Sequence, residues 1–469
     1  MAANSKQTRR LTGAIGGVAA ACAFVLLLPD VGLRPEGVRC LGILLGAIVW
    51  WITGVLPEFA TGFIMVGLFA IACGVDVSVS LSACSTAIWW LLVAAFALGA
   101  GMKASGLMKR MAQGILRKFP HTFAAQVVGF MAAGTIIGPL IPSIAAKGTL
   151  FAPLAMSIGD ALGYERKGKE MTGLFLSVVV GVRTVATGVI SASITGYAFL
   201  AVLPPEVQAE FNMLHWFVCS LPFLVVVLVL NTVALIAIYR PKDEARDAGD
   251  SKAILEDLGP MSAVEKRMLA IIIAVVSLWV LEPLHGISTT IVGLASVAAM
   301  VACGVLDGKS FRTEINWTSL VFIGTTMSLS AVFRQLGVDV WIMEAAGPAF
   351  TAIATNPYVL VIGVGLITTA IRFLIVSEIA YINIFMPFLV PLAMGLGINP
   401  WIMAISAYAL LNPWFVLYQS NMYIAIFYSV GGEMVEQGKS AKYSFVYMVT
   451  CLLGLVASVP FWQWMGLFG

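Results

Sequence analysis

Charge is what this chain has least of. Asp, Glu, Lys and Arg make up 11% of its 469 residues and 60% are apolar, whereas in soluble domains about a quarter of residues are charged. So little polarity cannot cover a water-exposed surface, so the chain reads as a polytopic membrane protein with the lipid bilayer as its first partner. Histidine is scarcer still. His121, His215 and His285 lie near the ends of apolar runs, and the sequence has no H-E-x-x-H, no His-Asp-Ser set, no phosphate-binding glycine loop and no glycosidase-like acidic pair. Those absences exclude the common enzyme chemistries. The seven cysteines stand singly, without metal-ligand spacing, and read as small apolar filler. No metal centre and no cofactor is expected beyond a coupling ion, proton or sodium. The net charge of +3 is unclustered, which excludes a nucleic-acid surface.

What the chain does have is long apolar runs. Runs near 11–30, 37–53, 57–74 and 86–105 open it, each close to the length needed to cross a bilayer. The first follows a basic flank, Lys6 to Arg10, but no small-residue cleavage site follows it, so it reads as a retained helix rather than a signal peptide. The run 122–158 is too long for one span and is broken at Gly138-Pro139 and Pro142; 356–396 is its counterpart. Both fit re-entrant hairpins, whose irregular tips are tolerated only where buried or facing a cavity. Two further spans, 173–203 and 400–428, carry polar breaks. The longest polar segment, 240–267, separates two similar halves: I-A-C-G-V at Ile71–Val75 recurs as V-A-C-G-V at Val301–Val305.

The expected organisation is an N-terminal helix (1–36), a first repeat (37–239) with a hairpin at 122–160, a cytoplasmic linker (240–267) and a second repeat (268–469) with a hairpin at 356–396. About 11 transmembrane helices and two hairpins make an all-α fold. With the N-terminus cytoplasmic, the inner segments hold 21 of the 27 Lys and Arg residues and the outer ones three, as the positive-inside rule requires of an inner-membrane, multi-pass protein. An odd number of spans separates the hairpins, so they enter from opposite faces and the repeats are inverted. Inverted repeats with broken helices are the ground plan of a secondary transporter, whose site lies near the midplane.

Candidate site residues gather at the four interruptions. Ser143 to Pro153 (S-I-A-A-K-G-T-L-F-A-P) and Ser377 to Pro387 (S-E-I-A-Y-I-N-I-F-M-P) place Lys147 and Glu378 in apolar surroundings, and Arg183 and Arg372 lie equally deep. Ionisable groups at such depth are costly and mark a site or its partner. Three cations against one anion leave positive charge for an anionic substrate, with Arg372 either paired to Glu378 or facing that substrate. Ser143, Lys147, Thr149, Arg183, Thr187, Ser377, Glu378, Asn383 and Asn421 are therefore the expected substrate-binding residues. The competing class is an anion channel, which a polar midplane would also suit.

The chain resembles the divalent anion sodium symporter family of citrate, dicarboxylate and sulfate carriers over nearly its whole length. Trp51-Ile52-Thr53-Gly54-Val55-Leu56-Pro57 resembles the family's W-x-T-E-x-L-P signature, with Gly54 in place of Glu. The doubled stretches resemble its two S-N-T hairpin tips, except that Ile144-Ala145 and Glu378-Ile379 stand where Asn and Thr are usual. The resemblance implies an elevator-type homodimer that moves dicarboxylates with sodium. The departures point instead to proton coupling or exchange, with Lys147 in the electrostatic role of a bound sodium ion and Glu378 as the ion-coupling carboxylate.

Overall fold

Backbone polar groups have no water to bond with in hydrocarbon, so an apolar chain of this length must satisfy them within helices. The computed structural model describes residues 2–27, 32–241 and 258–468, and it contains no strand among them. In chain order its main helices are α1 (Ala2–Leu27), α2 (Pro35–Thr53), α3 (Glu58–Cys73), α4 (Ala87–Ser105), α5 (Leu107–Leu116), α6 (Phe123–Ile137), α7 (Ile144–Ala161), α8 (Lys169–Gly188), α9 (Ile194–Val202) and α10 (Met213–Tyr239). The second half follows with α11 (Ala263–Val280), α12 (Thr289–Ala302), α13 (Trp317–Met327), α14 (Leu329–Leu336), α15 (Val338–Ala354), α16 (Pro357–Ile371), α17 (Glu378–Gly395), α18 (Pro400–Ala409), α19 (Asn421–Ser429) and α20 (Gln437–Trp464).

Two packed groups emerge. In the first, α1 lies on α2, α2 on α3, and α4 on α12, while α13 of the second half packs on α3. In the other, α8 is surrounded by α6, α7 and α10, α10 lies along α20, and α16 packs on α18. From Met171 to Gly188 every residue of α8 is buried, so this helix is the centre of the second group. The groups meet where α9 touches α4 and α17 touches α13 and α15.

Seven helices among the described residues are long and apolar enough to cross a membrane alone, or eight if one bent pair counts as a span. Leu11–Leu27, Glu58–Cys73 and Thr289–Ala302 are apolar but brief, and Phe123–Leu140, Pro357–Ile371 and Glu378–Gly395 fall within the expected hairpins, so helix length alone does not give the expected figure of about 11. The bent pair is also a finding. Between α14 and α15 the chain turns by 86° through Gly337, whose φ of +71° is favourable only without a Cβ. Of the expected linker, 242–257 lies outside the described residues. Its end is held down by Arg110 of α5, whose guanidinium meets Glu265 at 2.7 Å and the carbonyls of Leu258 and Gly259.

The α6–α8 contact is backbone against backbone. A Cβ on Gly134 would come within 2.5 Å of the Gly181 carbonyl carbon. Small residues let helices approach this closely, and the dispersion gained takes the place of a hydrophobic drive that lipid does not supply. Replacing Gly134 with valine is therefore expected to lower the unfolding temperature in detergent, at a cost of about 1–3 kcal/mol or more. An unchanged melting curve would show that these helices do not meet there.

Candidate functional site

Four short gaps in the helices define the site. The helices are interrupted between α6 and α7 at 138–143 (the first tip), between α16 and α17 at 372–377 (the second tip), between α8 and α9 at 189–193 (the first break) and between α18 and α19 at 410–420 (the second break). After each gap a serine caps the helix that resumes. Ser143, Ser193, Ser377 and Ser420 accept from the backbone N–H of Ala146, Thr195, Ala380 and Tyr423, at 3.1–3.3 Å. Each cap satisfies one of the orphan amides that begin a helix. The hydroxyl oxygens of Ser143 and Ser377 are thus engaged in their own helices.

Hydrogen bonds link the gaps to one another. Ile194 N–H donates to Pro142 O at 3.1 Å, joining the first tip to the first break. Thr195 Oγ1 donates to Glu378 Oε2 at 2.9 Å, joining that break to the second tip. Arg183 Nη2 donates to Ser420 Oγ at 2.9 Å, joining α8 to the second break. Four half-helix N-termini meet in this cluster, each with partial positive charge that favours anions.

The deep cations differ in what holds them. Lys147 is fully buried and its Nζ donates to Ala192 O at 2.7 Å and Gly138 O at 3.2 Å, one carbonyl from the first break and one from the first tip. Arg372, also fully buried, donates to Leu411 O at 2.8 Å and Gln419 O at 2.9 Å in the second break, and to Ile375 O in the second tip. Neither forms an ion pair among the described residues. Arg372 therefore serves backbone carbonyls and is not paired to Glu378.

Arg183 is the exception. It is 2% exposed, its guanidinium carbon lies 5.0 Å from the centre of the Trp414 ring, and its Nε and Nη1 have no partner. A buried guanidinium with unused donors is strongly unfavourable unless something completes it. Its open nitrogens are the most specific anion-directed feature of the cluster.

The remaining expected residues divide. Thr187 is buried at the end of α8, and its carbonyl accepts from Trp216 Nε1 at 3.1 Å. Asn383 is buried and donates to Thr326 Oγ1 of α13 at 2.6 Å, so it reaches across the seam between the two groups of helices, with Oδ1 left without a partner. Thr149 bonds back to Ala146 O in its own helix at 3.2 Å, and Asn421 is exposed at the first position of α19. Neither joins the buried cluster. Trp414, Thr195 and Thr326 are the residues that sequence reasoning left out of the site. Trp414 carried a signal, a large aromatic directly after Asn412-Pro413 in a polar break; Thr326 carried none.

A cavity of about 630 Å³ also lies along the seam, lined by Thr86, Leu203, Met327, Arg334, Asp339 and Pro391. None of Lys147, Arg183, Arg372 and Glu378 lines it. It is space between the two groups rather than the site itself.

Comparison with known proteins agrees with this architecture. Residues 10–468 match the family described as the sodium:sulfate symporter transmembrane region. Dicarboxylate transporter 1 of spinach chloroplasts is 25% identical over 66% of this chain and 57% of its own length. An L-tartrate/succinate antiporter of Shigella sonnei is 21% identical over 68% of the chain and 67% of its own. The crystal structure of the YdaH transporter of Alcanivorax borkumensis superposes with a TM-score of 0.54 at 16% identity, covering 80% of this chain and 85% of that one, and so shares the fold. With the family spanning almost every residue, this all-helical chain belongs to the sodium:sulfate (divalent anion:sodium) symporter family and is a membrane transporter, not an enzyme.

Proposed function

We propose that this protein is a secondary active transporter that carries a small carboxylate-type anion across the inner membrane by alternating access, with its N-terminus in the cytoplasm. The observation that carries the reading is Arg183, a buried cation with two unused donors among four half-helix N-termini. Nε and Nη1 lie on different edges of the guanidinium, and each can donate a charge-assisted hydrogen bond to a carboxylate oxygen. The relatives' dicarboxylates favour that class over sulfonate or sulfate.

Movement is assigned to the group built on α6–α10 and α16–α20, sliding in an elevator fashion against α1–α4 and α11–α13, in a homodimer. The seam supports this assignment, because the two groups touch through few polar links such as Asn383 to Thr326.

A thermal-shift panel of dicarboxylates, citrate, sulfonates and sulfate tests the substrate class. An anion bound only by the folded state adds about 2.7 kcal/mol at a hundred times its dissociation constant. At least one dicarboxylate is expected to raise the unfolding temperature in a saturable way; no response to any member would refute the site. Flux separates a carrier from a channel. Uptake into proteoliposomes should saturate and show counterflow, and unsaturable flux without counterflow would make the protein a channel.

A further inference from the structure

The cavity on the seam has the size of a small-molecule site. Its volume of about 630 Å³ lies within the range of about 300–1,000 Å³ that drug-sized ligands occupy. Both groups of helices wall it. Thr86, which caps α4, and Met327, the last residue of α13, come from the first group; Leu203, which ends α9, and Val390 of α17 come from the second. A molecule lodged there touches the part assigned to move and the part assigned to stay.

The chemistry of this space is unlike that of the deep cluster. Its lining is mostly apolar and includes three methionines from three helices, Met327, Met343 of α15 and Met394 of α17. Methionine is flexible and polarizable, so such a lining moulds to an apolar body of no fixed shape. Water alone would leave that surface unfavourably hydrated.

Charge selects the head group. The charged residues in the lining are Glu206, Asp339 and Arg334, two negative and one positive. Among the described residues no ion pair joins Arg334 to either carboxylate. Arg334 and Glu206 are exposed, so water serves them. Asp339 is half-buried, and its Oδ1 is shut off from solvent without a hydrogen-bond partner. The first turn of α15, where Asp339 stands, favours an anion but gives that oxygen no donor. A buried acceptor left so is costly, and a cationic N–H would complete it with a charge-assisted bond. An anion would instead meet an excess of negative charge.

We infer that the seam cavity is a second ligand site, for an amphiphilic organic cation whose protonated amine meets Asp339 and whose apolar body lies among the methionines. Resting on the carrier reading above, a ligand seated there holds the two groups together and stops transport without competing with the anion.

The test uses diphenylbutylamine beside diphenylbutanol and diphenylbutyric acid, which keep the body and make the head neutral or negative. With the full chain in phosphatidylcholine nanodiscs, the amine is expected to raise the unfolding temperature saturably. Its affinity should exceed that of either analogue by about tenfold or more, the ratio that a bond to a charged group supplies. Asp339→Asn keeps the shape and removes the charge, and should bring the amine down to the level of the alcohol. An amine that binds no tighter than the alcohol shows a space for apolar bodies alone, a lipid chain included, and overturns the inference; so does an undiminished affinity in Asp339→Asn. If that variant does not fold, the ranking of the three heads on the wild type decides. In phosphatidylcholine liposomes the amine is expected to lower the maximal rate of succinate counterflow at unchanged KM, and to leave Asp339→Asn uninhibited at the same concentration. A raised KM at unchanged maximal rate puts the amine in the anion site and overturns the inference. No counterflow by the wild type even without the amine refutes the carrier reading, while the unfolding comparison still decides the cavity.

Discussion

Arg183→Ala is expected to weaken anion binding by about thirtyfold or more, because truncating one partner of a buried charged contact costs about 2–5 kcal/mol. The unliganded protein should tolerate the change. Arg183 has one hydroxyl, one sulfur and one aromatic face of the protein to meet its charge, and its Nε and Nη1 have no protein partner. Removing an incompletely served charge offsets part of the packing lost. The expected signature is therefore split: an unfolding temperature close to wild type without ligand, and no further rise when a dicarboxylate is added. Arg183→Lys should fall between, since an ammonium keeps the charge but loses the planar fork. A variant that still gains stability from the anion would remove Arg183 from the site.

Arg372→Ala is expected to do the opposite, damaging the fold before it damages binding. Three buried carbonyls, Ile375, Leu411 and Gln419, would lose their donor together. Each orphaned buried acceptor costs about 1–3 kcal/mol, and a domain's net stability is only about 5–15 kcal/mol. Poor expression or a collapsed gel-filtration profile is the expected result, and Arg372→Lys should recover part of the loss. A well-folded Arg372→Ala protein with wild-type melting behaviour would show that those carbonyls find other donors. Arg183 and Arg372 thus look alike in the sequence, two arginines deep in apolar runs, yet have opposite predicted phenotypes.

That likeness marks where the sequence stops being informative. Depth is legible because an apolar window around a charge is visible in one dimension, and so are the helix interruptions, from Gly138-Pro139, Pro142 and Asn412-Pro413. The recurrence of A-C-G-V is legible too, and in the structure its two glycines, Gly74 and Gly304, both adopt φ of +66°. The direction of a side chain is not. Lys147 lies one turn into α7, and helical side chains lean toward the N-terminus of their helix, so its ammonium folds back onto the tip it follows. Ser143 and Ser377 are drawn to the nearest unsatisfied amides, which are those of their own helices. Arg372 and Glu378, six residues apart, suggested an ion pair; the turn of chain between them instead presents Ile375 O, and the second break presents two more carbonyls. Thr149 and Asn421 lie at the right depth by position, but Thr149 bonds back to Ala146 O in its own helix and Asn421 is exposed.

The short helices explain why a count of spans was less legible than the all-α class. Elements such as α3 and α12 are shorter than a helix that crosses a bilayer alone, so length does not mark them as spans. Asn383 shows the same limit. Its partner Thr326 is 57 positions away, and nothing in either local sequence announces the pair.

The most direct measurement is counterflow of a radiolabelled dicarboxylate in proteoliposomes, run side by side for the wild type and Arg183→Ala at equal reconstituted protein. The account predicts saturable, preload-dependent accumulation by the wild type and a signal indistinguishable from empty liposomes for the variant. Equal counterflow by the two proteins would contradict it.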